Sequence, residues 1–323
     1  MKPLVCNYFL TFRCNDTCEF CGLWQRPELE SVEEAGIEDV KKNLSDLKKA
    51  GVLVMNFTGG EPLLRDDIQE ILRASKRHGF FNILTTNAIE YPAKAERITG
   101  LVDHLVISLD HANEEEHNRI RGVACYEDVM NSVKIAKGLG KLPILNFTIT
   151  RDSIAGLPDM VELSEKLGVL LWINPVYNCS GLQGFEKSSL DYISRYFGRK
   201  NVALNLGSLE LIKKGGNRVK RPVCRAGEAT VTLFPDNTLV SPCFYYQKAK
   251  INIKGDLLSK LRGREVKESA SFHGRGDVCS GCLAWEYLNP SMLRPVSKEM
   301  FLSLYSFWKL FWKELKLKKG VKQ

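Results

Sequence analysis

Two periods of apolar and polar residues alternate along the first half of this chain. Residues 4–12 are a short apolar run that stops at Arg13, the length and character of a buried strand. Over 33–50 the period changes. Val40, Leu44 and Leu47 recur at helical spacing and the stretch ends at Gly51, a residue that takes the left-handed helix cap without a Cβ penalty. Residues 52–57 return to a compact apolar run, again a strand. The same exchange predicts helices over 66–78, 126–138 and 158–167, a short helix after 86, and strands over 81–86, 102–109, 142–149 and 169–176. Six strands alternating with helices predict an α/β fold, a parallel sheet with right-handed crossovers. Ligands of such sheets lie beyond the carboxyl ends of the strands, so residues just past each strand are the first candidates for chemistry.

After residue 177 the alternation stops. Residues 177–223 are a mixed linker with helical pieces near 188–197 and 205–214, and 231–234 and 238–240 form a hairpin about Pro235, Asp236 and Asn237. Residues 1–176, 177–223, 224–290 and 291–323 are therefore expected to be a main domain, a linker, a smaller domain and a tail. Residues 297–317 contain neither proline nor glycine and predict a helix about 31 Å long. Its polar positions, Ser303, Ser306, Lys309, Lys313 and Lys316, fall on one narrow stripe, and almost everything else is apolar. One reading packs this helix on the main domain, or in a dimer, with its lysines in water. The other lays it on a membrane or a lipid substrate.

Composition narrows the function classes. At 323 residues, 44% hydrophobic and 26% charged, the chain has material for a large core and a second unit. A net charge of +8 without an aromatic-interleaved basic block gives no reason to expect nucleic acid. Ten cysteines would mean disulfides in a small secreted protein. Here the N-terminus carries no secretory pattern, no run is long enough to span a membrane, and seven cysteines fall in spaced sets. Metal ligation in a reducing cytoplasm is the expectation, with peripheral membrane contact through the tail as its variant.

The first set is Cys14, Cys18 and Cys21, just past the first strand. Three thiols at that spacing cannot all pair as disulfides, but they can face one point, and soft thiolates suit iron–sulfur clusters or zinc. Three ligands leave one position of a four-site centre open. The second signal is Thr58-Gly59-Gly60-Glu61-Pro62, directly after the second strand, where glycines permit close backbone approach and a carboxylate can meet an ammonium group. With Phe20 before the last cysteine, the two motifs together resemble those of the radical S-adenosylmethionine (SAM) superfamily. That resemblance implies a partial (β/α)6 barrel. It implies a [4Fe–4S] cluster on Cys14, Cys18 and Cys21, with SAM on the fourth iron and its amino group held at Gly59, Gly60 and Glu61. It also implies contacts to SAM from later strand ends: Asn87, Ser108, Asp110, Arg121 opposite the SAM carboxylate, Asn146, and Asn174 near the adenine. Each of these also has a local reading as a cap, a turn residue or a surface ion pair.

The second set is Cys224, Cys243, Cys279 and Cys282. Four thiolates could hold structural zinc, although a zinc ribbon usually presents two close pairs and only one is present. The set resembles the auxiliary-cluster region of the SPASM/twitch subgroup, in its shorter twitch form, which implies a second [4Fe–4S] cluster. Cys6 and Cys125 read as small buried hydrophobes; Cys179, after the sixth strand, reads either as another such thiol or, as the lesser alternative, as one facing the substrate. Tyr177, Tyr245, Tyr246 and His273 are candidates for the substrate chamber. The resemblance further implies a flavodoxin- or ferredoxin-like electron donor, and reductive cleavage of SAM to a 5′-deoxyadenosyl radical that takes hydrogen from an unactivated carbon. The tail favours a hydrophobic or lipid substrate, with carbon–carbon bond formation or dehydrogenation as the reaction. A peptide-modifying maturase is the rival, against which the first strand begins too early for an N-terminal recognition extension. A non-catalytic metal-cluster protein that binds a partner is the reading from another class.

Overall fold

The computed structural model describes residues 2–176, 186–294 and 296–321. Its first half is the predicted alternation. Strand β1 (Val5–Thr11) is followed by α1 (Ile37–Ala50), β2 (Val54–Gly59), α2 (Ile68–Arg77), β3 (Phe81–Thr86) and α3 (Tyr91–Ile98). Then come β4 (His104–Ser108), α4 (Glu114–Arg121), α5 (Tyr126–Gly138), β5 (Ile144–Ile149), α6 (Leu157–Leu167) and β6 (Leu170–Pro175). Neighbours from β1 to β6 pair in parallel, with Tyr8 opposite Phe57 and Leu84 opposite Leu105. α1 ends at Gly51 in the left-handed conformation, as the sequence predicts. α4 has no apolar stripe for periodicity to detect. Its start is fixed by the Asn113 side chain, which accepts from the Glu116 N–H, a common N-cap.

The second half extends the same sheet at both edges. After α7 (Lys187–Ser194), the two-residue β7 (Val202–Ala203) pairs with β6, and α8 (Leu206–Lys213) follows. The predicted hairpin is β8 (Thr230–Leu233) and β9 (Thr238–Pro242), with β10 (Gln247–Asn252) antiparallel to β9. β8 runs parallel to β1 on the side away from β2. The order β10-β9-β8-β1-β2-β3-β4-β5-β6-β7 makes one open ten-stranded sheet. Helices α9 (Leu257–Arg262), α10 (Arg264–Ala270) and α11 (Trp285–Met292) precede the long α12 (Lys298–Val321).

α12 corrects one expectation. It packs on the protein body, but not with all its lysines in water: Lys313 turns inward, and Ser303 and Ser306 of the same stripe are buried against α8. Ser306 Oγ accepts from the Leu206 N–H at 3.0 Å, Ser303 Oγ donates to Asn205 Oδ1 at 3.0 Å, and Lys313 Nζ donates to the carbonyls of Phe197 and Val202. The cause lies in what α12 covers. The start of α8, the Phe197 carbonyl and the first residue of β7 present backbone groups to this helix, and polar side chains satisfy them.

Candidate functional site

The site is assembled where β1, β2 and the end of α4 meet. The cysteine loop after β1 is pinned by N–H donation from Thr17 to the Arg121 carbonyl and from Glu19 to the Ile120 carbonyl, both 3.0 Å. Gly122, at φ +70°, is required there: a Cβ would stand 2.1 Å from Thr17 Oγ1. Gly59 and Gly60 are required for a related reason. A Cβ on either would lie 2.1 Å from a carbonyl oxygen, that of Thr11 or of Arg13, while the Gly60 and Glu61 N–H groups donate to those same carbonyls at 2.8 Å. The two glycines thus lock β2 to the cysteine loop, a reason that adds to the ligand approach read from sequence.

Cys14, Cys18, Cys21 and Glu61 line one cavity of about 280 Å³. Phe20, Gly59, Gly60, Asn87, Ser108 and Arg121 line it too, so most of the residues singled out in the sequence converge. Asp110, Asn146 and Asn174 are not among its lining residues. Asn174 Nδ2 donates to Asn146 Oδ1, and Asp110 is fully enclosed, with Oδ1 accepting from the Thr148 N–H at 2.8 Å. Sequence reading passed over Asp16 and Trp24, both in the wall. Asp16 was legible only as a spacer between cysteines. Trp24 Nε1 donates to the Cys18 carbonyl at 2.9 Å, tying the loop from outside.

The electrostatics centre on two groups. Glu61 is buried, with Oε1 accepting from the Leu63 N–H and Thr86 Oγ1 and Oε2 from the Asn87 N–H, at 2.7–2.8 Å. Burial outweighs these bonds and raises its pKa to about 7. Arg121 is buried between Asp110 (2.7 Å) and Asp16 (3.3 Å), and its Nη1 lies 3.4 Å from Cys18 Sγ. Burial alone would lower the guanidinium pKa, but the charge of Asp110, the Cys18 thiolate and Asp16 raises it overall. Its buried Nε has no hydrogen-bond partner among the described residues. Behind it, burial lowers His117 to about 3. The neutral ring accepts from the Asp110 N–H through Nδ1 and meets the buried Cys125 thiol through Nε2.

The three thiols fit a thiolate-bound cluster by donor type and common exposure to the cavity. Burial pushes Cys14 up to about 12 and Cys18 to about 11, the latter opposed by Arg121. Metal binding must therefore displace their protons.

Cys224, Cys243 and Cys279 are buried and Cys282 partly so. One residue organises three of them. Asn217 Nδ2 donates to the Gly274 and Cys279 carbonyls, its Oδ1 accepts from the Val223 and Cys224 N–H groups, and its own N–H donates to the Cys282 carbonyl, all within 2.8–3.3 Å. The N–H groups of Ala226 and Tyr246 point at Cys224 Sγ and Cys243 Sγ, at 3.4 and 3.3 Å, the kind of bond that stabilises metal-bound thiolates. Burial is the main cause raising Cys224 to about 12, with Cys282 and Cys279 adding to it. Among the described residues no three His, Cys, Asp or Glu side chains close round a single point, in this set or in the first. Tyr246 packs against Gly276, and the His273 ring meets Arg225. Tyr177 and Cys179 lie outside the described residues.

A thiol loop and a desolvated carboxylate thus meet at the carboxyl edge of an open parallel sheet in an α/β fold, around a cavity of small-molecule size. Residues 8–162 match the family model described as Radical SAM superfamily. That segment is just under half of the chain; with the relatives below it supports a radical SAM enzyme, a family that implies one [4Fe–4S] cluster and SAM. It is 32% identical over 166 residues to the PqqA peptide cyclase of Granulibacter bethesdensis, covering 49% of this chain and only 43% of that protein. It is 28% identical over 283 residues to a probable GTP 3′,8-cyclase of Saccharolobus islandicus, covering 80% of this chain and 88% of that one. Among solved structures, Streptococcus suis SuiB bound to its precursor peptide SuiA shares the fold. The TM-score is 0.68 at 18% identity, over 92% of this chain and 74% of that one. Among the described residues no helix is long and apolar enough to cross a membrane.

Proposed function

We infer that this chain binds SAM in the cavity at Cys14, Cys18 and Cys21 and directs the resulting radical at an unactivated carbon of a peptide substrate. The observation that carries the reading is the convergence on one cavity of the three thiols, Glu61 and Arg121 from three separate parts of the chain. Glu61 would take the SAM ammonium and the Arg121 guanidinium its carboxylate, so the two ends of the amino acid are held by opposite charges. Phe20 and Trp24 contribute aromatic wall to this cavity. The cluster, when bound, supplies one electron to the sulfonium, giving methionine and a 5′-deoxyadenosyl radical. The residues' task is to orient SAM and keep water away from it.

Cys224, Cys243, Cys279 and Cys282 hold a second [4Fe–4S] cluster in this reading, which places the chain in the SPASM/twitch subgroup. A flavodoxin- or ferredoxin-like protein is the electron donor. The peptide class rests on the likeness to the PqqA peptide cyclase. A lipid substrate, the alternative favoured by the tail, loses its support because α12 meets the sheet at His104, the first residue of β4. The cavity takes Ser108, the last residue of that strand, about 13 Å away.

The test is anaerobic iron and sulfide analysis with reductant-dependent SAM cleavage, read as 5′-deoxyadenosine by liquid chromatography. Two clusters correspond to about eight irons per chain, and about four would remove the second. Zinc in place of iron, or iron without cleavage, would overturn the reading and leave a metal protein that binds a partner. With cleavage in hand, a peptide library should raise 5′-deoxyadenosine above the uncoupled level and lipid extracts should not.

A further inference from the structure

Among the described residues, eight of the fifteen exposed large apolar side chains lie on α12, so the apolar surface of this chain is concentrated on a single helix. Phe301, Leu304, Tyr305, Trp308, Phe311, Trp312 and Leu315 follow the helical repeat and form one outward stripe. Trp308 is 55% and Trp312 47% exposed. The inward face mixes polar and apolar anchors: Ser303 and Ser306 bond α8, Lys313 bonds two carbonyls, and Leu310 and Leu317 pack on the core. The helix is therefore already anchored on its inward side, and its aromatic stripe, which a surface helix on a globular core would bury, is turned out.

Charge says what covers that face. The acids of α12, Glu299 and Glu314, both turn to the protein body, pairing with Lys214 at 2.6 Å and His104 at 2.9 Å. The helical repeat sets Lys309 and Lys316 on one rim of the aromatic stripe and Lys318 on the other. Lys309 lies over the Tyr305 and Trp308 rings. With lysine on both rims and no acid facing outward, a second copy of this face would set lysine against lysine. Rings along the centre with long cationic stems at both edges match the boundary between acyl chains and anionic headgroups.

We propose that α12 docks the protein on an anionic lipid bilayer, lying in the interface plane with Trp308 and Trp312 inserted and Lys309, Lys316 and Lys318 at the headgroups. The helix rests at the start of β4, away from the SAM cavity, so it positions the enzyme without feeding the site.

The test uses the full chain and vesicles of phosphatidylcholine with or without phosphatidylglycerol. The protein should pellet with the anionic vesicles, release as salt is raised, and show a blue shift of tryptophan emission. Trp308→Ser with Trp312→Ser, and separately Lys309→Glu with Lys316→Glu, should each weaken partitioning by about tenfold or more. Both pairs face solvent, so melting temperature and SAM cleavage should hold. Failure to pellet with anionic vesicles, or partitioning untouched by both pairs, overturns the proposal. So does sedimentation velocity that shows a dimer dissolved by the tryptophan pair in the absence of lipid.

Discussion

Glu61 is a buried carboxylate that the fold leaves half protonated near neutral pH. Three hydrogen bonds orient it and would favour its charge, but burial prevails and holds its pKa at about 7. If it receives the SAM ammonium, binding must ionise it and release a proton. SAM affinity should then fall as pH drops below 7, about tenfold between pH 8 and pH 6. Isothermal titration of the reconstituted enzyme would show it, and Glu61→Gln should bind weakly with no such slope. A flat wild-type profile would remove Glu61 from the ammonium site. Arg121 makes a different prediction, because its Nη1 stands 3.4 Å from Cys18 Sγ. A donor to a ligating sulfur stabilises the reduced cluster. Arg121→Gln should lower the midpoint potential by on the order of 60 mV, the one-electron equivalent of a tenfold change. It should also destabilise the fold by about 3 kcal/mol, because Asp16 and Asp110 lose their buried partner. An electron paramagnetic resonance redox titration with an unmoved potential would reduce Arg121 to a structural role.

Elements were legible in the sequence wherever one face alone is buried. Periodicity placed β1 to β6 and the helices α1, α2, α5 and α6, because each presents an apolar run or stripe to the core. α4 escaped it because its sequence, Glu-Glu-Glu-His-Asn-Arg-Ile-Arg, is set by a cap and by the ion pairs of Arg121. The outward aromatic face of α12 escaped for another reason: a stripe shows which residues share a face, and only the partner, α8, decides which face turns inward. Lys313 records that choice. Burial, with Lys309 adding repulsion, lowers its pKa to about 8. In the unfolded chain it binds its proton up to its ordinary value of 10.5, so stability should rise as pH increases from about 8 toward 10.5. After allowing for partial exposure the gain is on the order of 1 kcal/mol. Urea midpoints should show it, and Lys313→Met should abolish it. Asn217 was invisible for a third reason, a lone asparagine in a linker. If the second cysteine set holds the cluster proposed above, the bonds of Asn217 to the chain around Cys224, Cys279 and Cys282 predict that Asn217→Ala lowers iron from about eight to about four per chain and spares SAM cleavage.

At the scale of the molecule, the composition change near residue 224 does not coincide with a break in the sheet. β8 lies beside β1 in parallel, with Val5 opposite Thr230 and Tyr8 opposite Leu233, so the strand that leads into the Cys14 loop is interior only because the later residues return to it. Periodicity could not show this, since pairing between strands more than two hundred residues apart leaves no local pattern. A second apolar cluster crosses the same seam: Phe12 packs with Phe234 and Val240, and Phe9 stacks on Phe244 at 5.0 Å. Phe244 follows Cys243, and Phe12 lies two residues before Cys14, so a continuous aromatic wall links the two cysteine sets. Without residues 224–321, β1 would become an exposed edge with Phe9 and Phe12 uncovered, a template for aggregation. A chain ending at 223 should therefore be insoluble or aggregated and should fail to hold the first cluster, although Cys14, Cys18, Cys21 and Glu61 are all present. Co-expression of 224–323 as a separate chain should restore solubility if the seam is the cause. A monomeric 1–223 fragment that binds iron and cleaves SAM would show instead that the first six strands are self-sufficient, and that the continuous sheet serves the second cysteine set alone.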